Sequence, residues 1–273
     1  MTDHSGRPRS DHLLQLAKVP AVTLGFWIIK IAATTLGETG GDSVTMTWFG
    51  ETTAHPSPNG YLIGTAIFFL ALVLFVILQI VAKKFHPFLY WATIVASTTA
   101  GTTLADFTDR SLGIGYPGGS LLLFACVLIS LGAWYWTEGT VSVQTVSTPR
   151  VEMFYWITIT FSQTLGTALG DWAADAGLGY GGGVIVFLAA LVAVAALYFA
   201  TSASRVVLFW MAFILTRPLG ATVGDFLDKP RAEGGLNFSR PLASGIIAIF
   251  IVVCILVLPQ RPGIHPGASA KAS

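Results

Sequence analysis

Long apolar stretches alternate with short polar segments along the whole chain. A bilayer core of about 30 Å needs about 20 apolar residues in a helix that rises about 1.5 Å per residue. Windows of this kind lie at 21–38, 61–82, 88–105, 119–137, 153–170, 183–201, 206–224 and 242–258. The pattern predicts an all-α, polytopic integral membrane protein with eight transmembrane helices. The first window is too long, and its far end too polar, for a cleavable signal peptide, so we expect it to remain in the protein.

An aromatic residue followed by tryptophan recurs four times, and the sequence after it is periodic. The pairs are Phe26-Trp27, Tyr90-Trp91, Tyr155-Trp156 and Phe209-Trp210. If each tryptophan is counted as position zero, position ten is always glycine and position fifteen is always aspartate. Each repeat therefore holds a polar helix, here called a signature helix, followed by a plain apolar helix. Because two spans return the chain to the same side, all four repeats point the same way.

The repeat spacing divides the chain into one transmembrane domain and two tails. We place the repeats at about 18–83, 84–149, 150–202 and 203–259, within a single domain at 18–259. The tails, 1–17 and 260–273, are rich in polar, proline, glycine and alanine residues, and we expect them to be disordered. Parallel repeats are related by an axis along the membrane normal. They can therefore pack as a pseudo-fourfold ring or as a dimer of two-repeat halves.

Small residues occupy two fixed positions of every signature helix. Position ten is Gly37, Gly101, Gly166 or Gly220, and position fourteen is Gly41, Ala105, Gly170 or Gly224. Such pairs let two backbones approach closely in a membrane, and we expect them to pack helices together. The alternative is that the helices unwind at these glycines and offer carbonyl oxygens to an ion.

Hydroxyl and carboxylate side chains form one stripe on each signature helix. With 3.6 residues per turn, Thr35, Glu38 and Asp42 share a face. The matching residues of the other repeats are Thr99, Thr102 and Asp106, then Thr164, Thr167 and Asp171, then Thr222 and Asp225. We expect the four stripes to meet at the centre of the bundle, with the aspartates forming an ion-attracting vestibule near the outer interface. Aspartates that are simply solvated, or that cap a following turn, are the alternative.

Two cations interrupt the apolar windows near mid-depth. Lys30 lies ten residues beyond Pro20 and Arg217 twelve residues beyond Arg205, which places both about 15–18 Å into the bilayer. An unpaired charge there costs at least about 2.5 kcal/mol, so both should face the interior with a partner or water. Glu38 lies within reach of Arg217 if the repeats superpose, and the pair is either a structural staple or a gate. Arg217 and Pro218 also break the pattern of the other repeats.

Cations are concentrated on one side of the predicted membrane. Nine of them lie there: Arg7, Arg9, Lys18, Lys83, Lys84, Arg150, Arg205, Arg261 and Lys271. Four lie on the other side: Arg110, Lys229, Arg231 and Arg240. Because cations in short loops resist translocation, both termini are predicted to be cytoplasmic. The outer side carries many acidic residues, of which Asp109, Asp175 and Asp228 are expected to be solvated loop charges.

The composition excludes several classes of protein. Hydrophobic residues make up 53% of the 273 residues and charged residues 11%, whereas soluble proteins carry about 25% charged residues. The net charge of +1 leaves no basic surface for nucleic acid. Cys126 and Cys254 lie far apart and form no metal or disulfide motif. All five histidines lie outside the windows, and neither HExxH nor GxSxG is present, so we expect no enzyme activity and no cofactor.

Three segments carry a resemblance to a known family. They read WIIKIAATTLGETGGD at 27–42, WATIVASTTAGTTLAD at 91–106 and WITITFSQTLGTALGD at 156–171. With these motifs the chain resembles a bacterial family of integral-membrane repeat proteins, described only as uncharacterised membrane-anchored proteins. The resemblance covers nearly the whole chain and implies a bacterial inner-membrane location. It carries over no activity, so the functional interpretation rests on the residues.

The polar stripes favour transport over the other functions considered. Our leading hypothesis is a transporter or channel for a small ion, most simply a cation, because carboxylates and hydroxyls are hard oxygen ligands suited to metal ions and protons. In that hypothesis Lys30, Arg217 and Glu38 form the intramembrane charge pair or gate. One alternative is a transporter of a small anion or a carboxylate metabolite that uses Lys30 and Arg217. The other is a membrane scaffold or sensor without transport. The expected partners are the lipid bilayer and a small ion, and homo-oligomerisation and the identity of any metal stay open.

Overall fold

A computed structural model describes residues 16–52 and 58–264 of the chain. Within these residues the chain forms eight α-helices and one two-stranded sheet. The helices are α1 (Leu24–Asp42), α2 (Pro58–Val81), α3 (Pro87–Asp106), α4 (Tyr116–Glu138), α5 (Pro149–Ala173), α6 (Gly179–Ala200), α7 (Arg205–Asp228) and α8 (Arg240–Val257). The fold is therefore all-α, as predicted, apart from the small sheet.

The sheet corrects part of the prediction for the tails. Strand β1 (Leu16–Pro20) pairs antiparallel with β2 (Pro262–Ile264), so the two described ends of the chain lie side by side. The expected disorder is wrong for these residues. Residues 1–15 and 265–273 of the tails lie outside the described residues, and with them Arg7, Arg9 and Lys271. Lys18 fixes the sheet to the helices, since its Nζ lies 2.6 Å from Glu152 Oε1 and also donates to the carbonyl oxygen of Ile80 at 3.2 Å.

Each signature helix begins at a residue whose side chain caps the first turn. The caps are Thr23, His86, Thr148 and Ser204, which accept hydrogen bonds from the backbone N–H three residues later. Such caps satisfy one of the backbone donors that every helix start leaves unpaired. The beginnings of α1, α3, α5 and α7 are therefore set by local sequence rather than by packing alone.

Three signature helices end in a wider π-helical turn. These turns, at 43–48, 107–111 and 174–178, follow α1, α3 and α5. Gly177 has a positive φ of 97°, which a residue with a Cβ seldom adopts, and it separates α5 from α6 within one continuous helical stretch. The fourth signature helix, α7, has no such turn and stays α-helical through Asp228. The ends of the repeats therefore differ where the aspartates lie.

The four signature helices form a closed ring in chain order. Helix α1 contacts α3, α3 contacts α5, α5 contacts α7, and α7 returns to α1. The apolar helices lie outside this ring, each against the signature helix of the next repeat: α2 on α3, α4 on α5, α6 on α7, and α8 on α1. The chain thus adopts the pseudo-fourfold arrangement that parallel repeats allow.

The outer helices present their apolar side chains to the surroundings. Leu70, Ile129, Ile185 and Ile249, one from each outer helix, are all at least two-thirds exposed. Five helical segments are long and apolar enough to cross a membrane: Asn59–Val81, Tyr116–Glu138, Pro149–Ala200, Arg205–Asp228 and Arg240–Val257. Such surfaces are those of a multi-pass membrane protein in contact with lipid.

Aromatic side chains close the ring at one end, here called the tryptophan end. The aromatic residue of each repeat packs against the tryptophan of the next repeat, with ring centroids 5.4 to 6.5 Å apart. The pairs are Phe26 with Trp91, Tyr90 with Trp156, Tyr155 with Trp210, and Phe209 with Trp27. These eight side chains are called the aromatic plug below. Inside it the hydroxyls of Tyr90 and Tyr155 lie 2.6 Å apart and form a hydrogen bond with each other. The aromatic-tryptophan pair of each repeat therefore packs neighbouring signature helices together.

The glycines at positions ten and fourteen bring neighbouring signature helices into contact, as predicted. A Cβ at position ten would collide with the position-seven residue of the next repeat. These contacts join Gly37 to Thr98, Gly101 to Gln163, Gly166 to Arg217 and Gly220 to Thr34. At position fourteen, Gly41 lies against Thr102, Gly170 against Ala221 and Gly224 against Glu38. All seven glycines lie within continuous helix, so the alternative of unwound helices is wrong.

Candidate functional site

Buried side chains stack in four levels along the axis of the signature ring. The levels are positions three (Lys30, Ile94, Ile159, Phe213), seven (Thr34, Thr98, Gln163, Arg217), eleven (Glu38, Thr102, Thr167, Ala221) and fifteen (Asp42, Asp106, Asp171, Asp225). All sixteen side chains are buried. Level three is mostly apolar and borders the aromatic plug, whereas level fifteen is wholly acidic. We refer to the end near level fifteen as the aspartate end.

Arg217 is the centre of this arrangement and touches the other three signature helices. Its Nη2 lies 3.0 Å from Glu38 Oε2. The same nitrogen donates to Thr102 Oγ1 and Thr167 Oγ1, each at 2.5 Å. Glu38, Thr102 and Thr167 all occupy position eleven of their repeats, where the fourth repeat has Ala221. The small alanine leaves space on the axis, and Arg217 fills it from one turn earlier.

The predicted pair of Glu38 and Arg217 is therefore present. Thr102 strengthens it, because its Oγ1 lies 3.3 Å from Glu38 Oε2 as well as contacting Arg217. Both charged side chains are at most 3% exposed. A buried ion pair gains little net stability over apolar packing but becomes very costly when one partner is lost. Whether the pair acts as a gate stays a prediction.

The four aspartates of level fifteen are buried and paired rather than solvated. Lys229 Nζ lies 3.1 Å from Asp225 Oδ1 and also contacts Asp42 Oδ2. Arg110 performs the same role opposite, with nitrogens 2.8 Å from Asp106 Oδ1 and 2.9 Å from Asp171 Oδ2. The alternative of simply solvated aspartates is thus wrong, whereas an ion-attracting vestibule stays a prediction. Two cations cover the acidic level, and each pairs with two of its four aspartates.

Sequence reasoning missed these two cations because it assigned them to loops. A signal was available in the segments DFTDR at 106–110 and DFLDK at 225–229. Each places a cation four residues after the aspartate, which is the spacing of neighbours on a helix face. The equivalent positions of the first and third repeats hold Met46 and Asp175. Each cation therefore serves its own repeat and the next, which superimposes a pseudo-twofold pattern on the fourfold ring.

The same two segments bury a second carboxylate each, contrary to the prediction. Asp109 lies in the π-helical turn after α3, against Gly119, and is 5% exposed. Burial raises the pKa of Asp109 to about 7, and Asp171 adds to the rise while Arg110 opposes it. Asp228, at the end of α7, is also buried, with Oδ1 3.6 Å from Arg240 Nε. Asp175 is exposed, as predicted for a loop charge.

Four threonines proposed to line a pathway bond to their own helices instead. Thr35, Thr99, Thr164 and Thr222 each donate to the carbonyl oxygen four residues earlier, at 2.8 to 3.0 Å. Such back-bonding satisfies a hydroxyl locally without a partner on another helix. By contrast, Thr102 and Thr167 contact Arg217. Position seven, at which sequence reasoning selected only Arg217, also supplies Thr34, Thr98 and Gln163 to the axis.

Lys30 lies at level three without a carboxylate partner among the described side chains. Its Nζ is 3.5 Å from Gln163 Oε1, across the ring, and 4.2 Å from the centroid of the Phe213 ring. The ammonium is fully buried. An aromatic face and one amide oxygen are weak compensation for a charge removed from water. The predicted intramembrane charge group is therefore split, with Arg217 paired and Lys30 unpaired.

One group of carboxylates has the spacing of a metal site. Glu38, Asp42 and Asp225 each offer an oxygen, and these three oxygens lie within 4.8 Å of one another. Lys229 already contacts two of the three carboxylates. A pocket of about 360 Å³ opens at the aspartate end and is lined in part by Asp228 and Arg240. Neither Glu38 nor Arg217 lines this pocket.

The ring of parallel repeats with charged side chains on its axis defines a multi-pass membrane protein of internal fourfold symmetry. Four matches to one family model, at 25–85, 89–140, 154–204 and 208–259, follow the same division. The chain belongs to the family described as Repeat of Unknown Function (DUF347). Comparison with curated proteins gave no match, and neither did comparison with solved structures.

Proposed function

We propose that this protein transports a small cation across the bacterial inner membrane along the axis of the signature ring. The observation that carries the proposal is the network in which Arg217 joins residues of all four repeats at mid-depth. Burying such charges costs free energy, and apolar side chains of similar size would pack the ring more stably. Ionisable residues inside membrane proteins are rare and commonly mark ion pathways or proton relays.

All eight helices cross the bilayer in this proposal. Helices α1 and α3 contain 19 and 20 residues, which corresponds to about 28 and 30 Å. Their polar side chains lower the average hydropathy but face the ring axis, while outer helices cover the ring. The tryptophan end faces the cytoplasm, because the cations of the short connections are concentrated there. Both termini are then cytoplasmic.

The arrangement suits a closed state of a carrier. The aromatic plug blocks the tryptophan end, and the cations Arg110 and Lys229 cover the aspartate end. Carboxylates and hydroxyls are oxygen ligands that suit protons and hard metal ions. A cation arriving at Glu38, Asp42 and Asp225 would take the place of the Lys229 ammonium. Release of Lys229 would then link occupancy of the site to opening of that end.

The direct experiment is cation flux in liposomes that contain only the purified protein. We expect accumulation of one cation from a panel of H⁺, K⁺, Mg²⁺ and Mn²⁺, and loss of that flux in Glu38→Gln. Glu138→Gln is the matched control, because Glu138 pairs with Arg150 at the tryptophan end, away from the axis. Absence of flux for every cation in the wild-type protein would overturn the proposal and favour the scaffold.

A further inference from the structure

Level seven holds more unpaired donors than any other part of the axis. Arg217 Nε and Nη1, Gln163 Nε2 and Thr98 Oγ1 have no hydrogen-bond partner among the described residues. Lys30 Nζ adds a donor from level three, with one long contact to Gln163. All four side chains are fully buried. Buried polar groups are almost always satisfied, so this concentration of unmet donors indicates an absent acceptor.

The charged groups around level seven also indicate that the absent acceptor is an anion. Arg217 is paired with Glu38 through Nη2, which leaves the amine of Lys30 nearby without a carboxylate partner among the described residues. Arg217 acts electrostatically on Lys30 as a like charge. Water would satisfy the hydrogen bonds but would leave the charge unbalanced. One bound monovalent anion would supply both the acceptors and the negative charge.

We propose that level seven is a binding site for one small monovalent anion, held between Lys30, Gln163 and the unpartnered Nη1 of Arg217. Arginine presents five donors in a fixed planar fork, so Nη2 can hold Glu38 while Nη1 donates to a ligand. The anion is small, such as a halide, nitrate or formate. Because Lys30, Gln163 and Arg217 are all fully buried, we expect only a small anion to fit among them.

This site differs from the proposed cation site in depth and in chemistry. The cation would lie among the carboxylates Glu38, Asp42 and Asp225, whereas the anion lies one turn deeper among nitrogen donors. The two sites meet at Glu38 and Arg217. Transport of the anion together with the cation rests on the proposed function. Binding of the anion does not, and it is therefore tested without flux.

The experiment measures the thermal midpoint and the binding heat of the purified full-length protein in nanodiscs. Nitrate or formate replaces bulky gluconate at constant ionic strength. A ligand that binds only the folded state raises stability with the logarithm of its concentration. We therefore expect the thermal midpoint to rise with nitrate and formate. Citrate, which is too large, should have no effect.

Two variants separate the site from general salt effects. Lys30→Met should lose the dependence on nitrate. Gln163→Glu places a carboxylate where the anion would bind, so it should be more stable than the wild type in gluconate and insensitive to nitrate. Lys18→Met is the control, because Lys18 pairs with Glu152 at the tryptophan end and should keep the nitrate response.

Each outcome bears on the proposal separately from the transport function. A wild-type midpoint that ignores nitrate and formate would overturn the anion site, since it would mean that Lys30 is neutral or hydrated. An unchanged nitrate response in both Lys30→Met and Gln163→Glu would do the same. If Lys30→Met fails to fold, Gln163→Glu alone decides. Anion binding without cation flux would retain this site and reject the transport proposal.

Discussion

Glu38 and Arg217 lie 179 residues apart in the chain, yet their charged atoms are 3.0 Å apart on the axis of the ring. The contact depends on the fourth repeat being unlike the others. Where the first three repeats carry Glu38, Thr102 and Thr167, the fourth carries Ala221, and the arginine reaches into that space. A break in internal symmetry thus builds the only contact at mid-depth, within the described residues, that joins an acid and a base.

Removal of Arg217 should destabilise the protein strongly. In Arg217→Met, Glu38 would remain buried without its partner, and breaking a buried pair costs about 3–5 kcal/mol. The double variant Arg217→Met with Glu38→Gln should recover much of that loss, because no charge remains. Thermal unfolding of the single and double variants in nanodiscs measures the coupling. Additive losses in the double variant would contradict a direct interaction between the two side chains.

The variants Lys229→Met and Arg110→Met should differ in how divalent cations change their stability. Lys229→Met frees Asp42 and Asp225 beside Glu38. One carboxylate oxygen from each of these three residues lies within 4.8 Å of the other two. We expect this variant to be less stable than the wild type, and to be stabilised again by Mn²⁺ or Mg²⁺. Arg110→Met should be destabilised to a similar degree, without rescue.

Each variant is the control for the other, because each removes one cation from two aspartates of level fifteen. Thermal midpoints with and without the metal ion measure the rescue. Equal rescue of both variants would mean that any exposed pair of aspartates binds the ion. That result would remove the special role of the group formed by Glu38, Asp42 and Asp225.

The sequence predicted the helices and the central pair because both depend on periodicity. Apolar windows identify the spans, and superposition of the repeats places Glu38 near Arg217 in depth. The repeat also indicated the glycine contacts, since a residue at a fixed position must meet the same kind of neighbour in every repeat. These are properties of a regular helix and of a symmetric ring.

The contacts that sequence reasoning missed depend on how far each helix is rotated about its own axis. Thr35 and Thr34 are adjacent in sequence and both bond to the carbonyl oxygen of Ile31 in their own helix, but only Thr34 also reaches the carbonyl oxygen of Thr216 on another helix, at 3.1 Å. Rotating the helix about its axis by one residue position would change which of the two side chains faces the neighbouring helix. Periodicity alone does not determine that rotation. Arg110 and Lys229 were missed because a cation beyond a predicted span was assumed to be solvated.

Asp109 should make stability depend on pH between about 4 and 7. Burial raises its pKa to about 7 in the folded protein from an ordinary value of 3.8. The folded state then binds more protons than the unfolded state over this range, so stability falls as the pH rises. Asp109→Asn should remove that part of the slope. Thermal midpoints from pH 4 to 8 measure it, and an unchanged slope in the variant would show that Asp109 does not titrate there.

Gly166 should be intolerant of a methyl group because Arg217 lies against it. A Cβ at this position would overlap the Cβ and Cγ atoms of Arg217 and approach Pro218 Cδ to 3.0 Å. Overpacking of this kind costs about 1–3 kcal/mol and would push the guanidinium away from Glu38. Gly132→Ala is the matched control, since it lies within α4 and a Cβ there meets nothing within 4 Å. That control should be neutral or stabilised by about 0.5–1 kcal/mol, the usual gain of alanine over glycine in a helix. The free energy of unfolding and the cation flux should both fall in Gly166→Ala and not in Gly132→Ala. Equal behaviour of the two variants would contradict the close packing of α5 on α7.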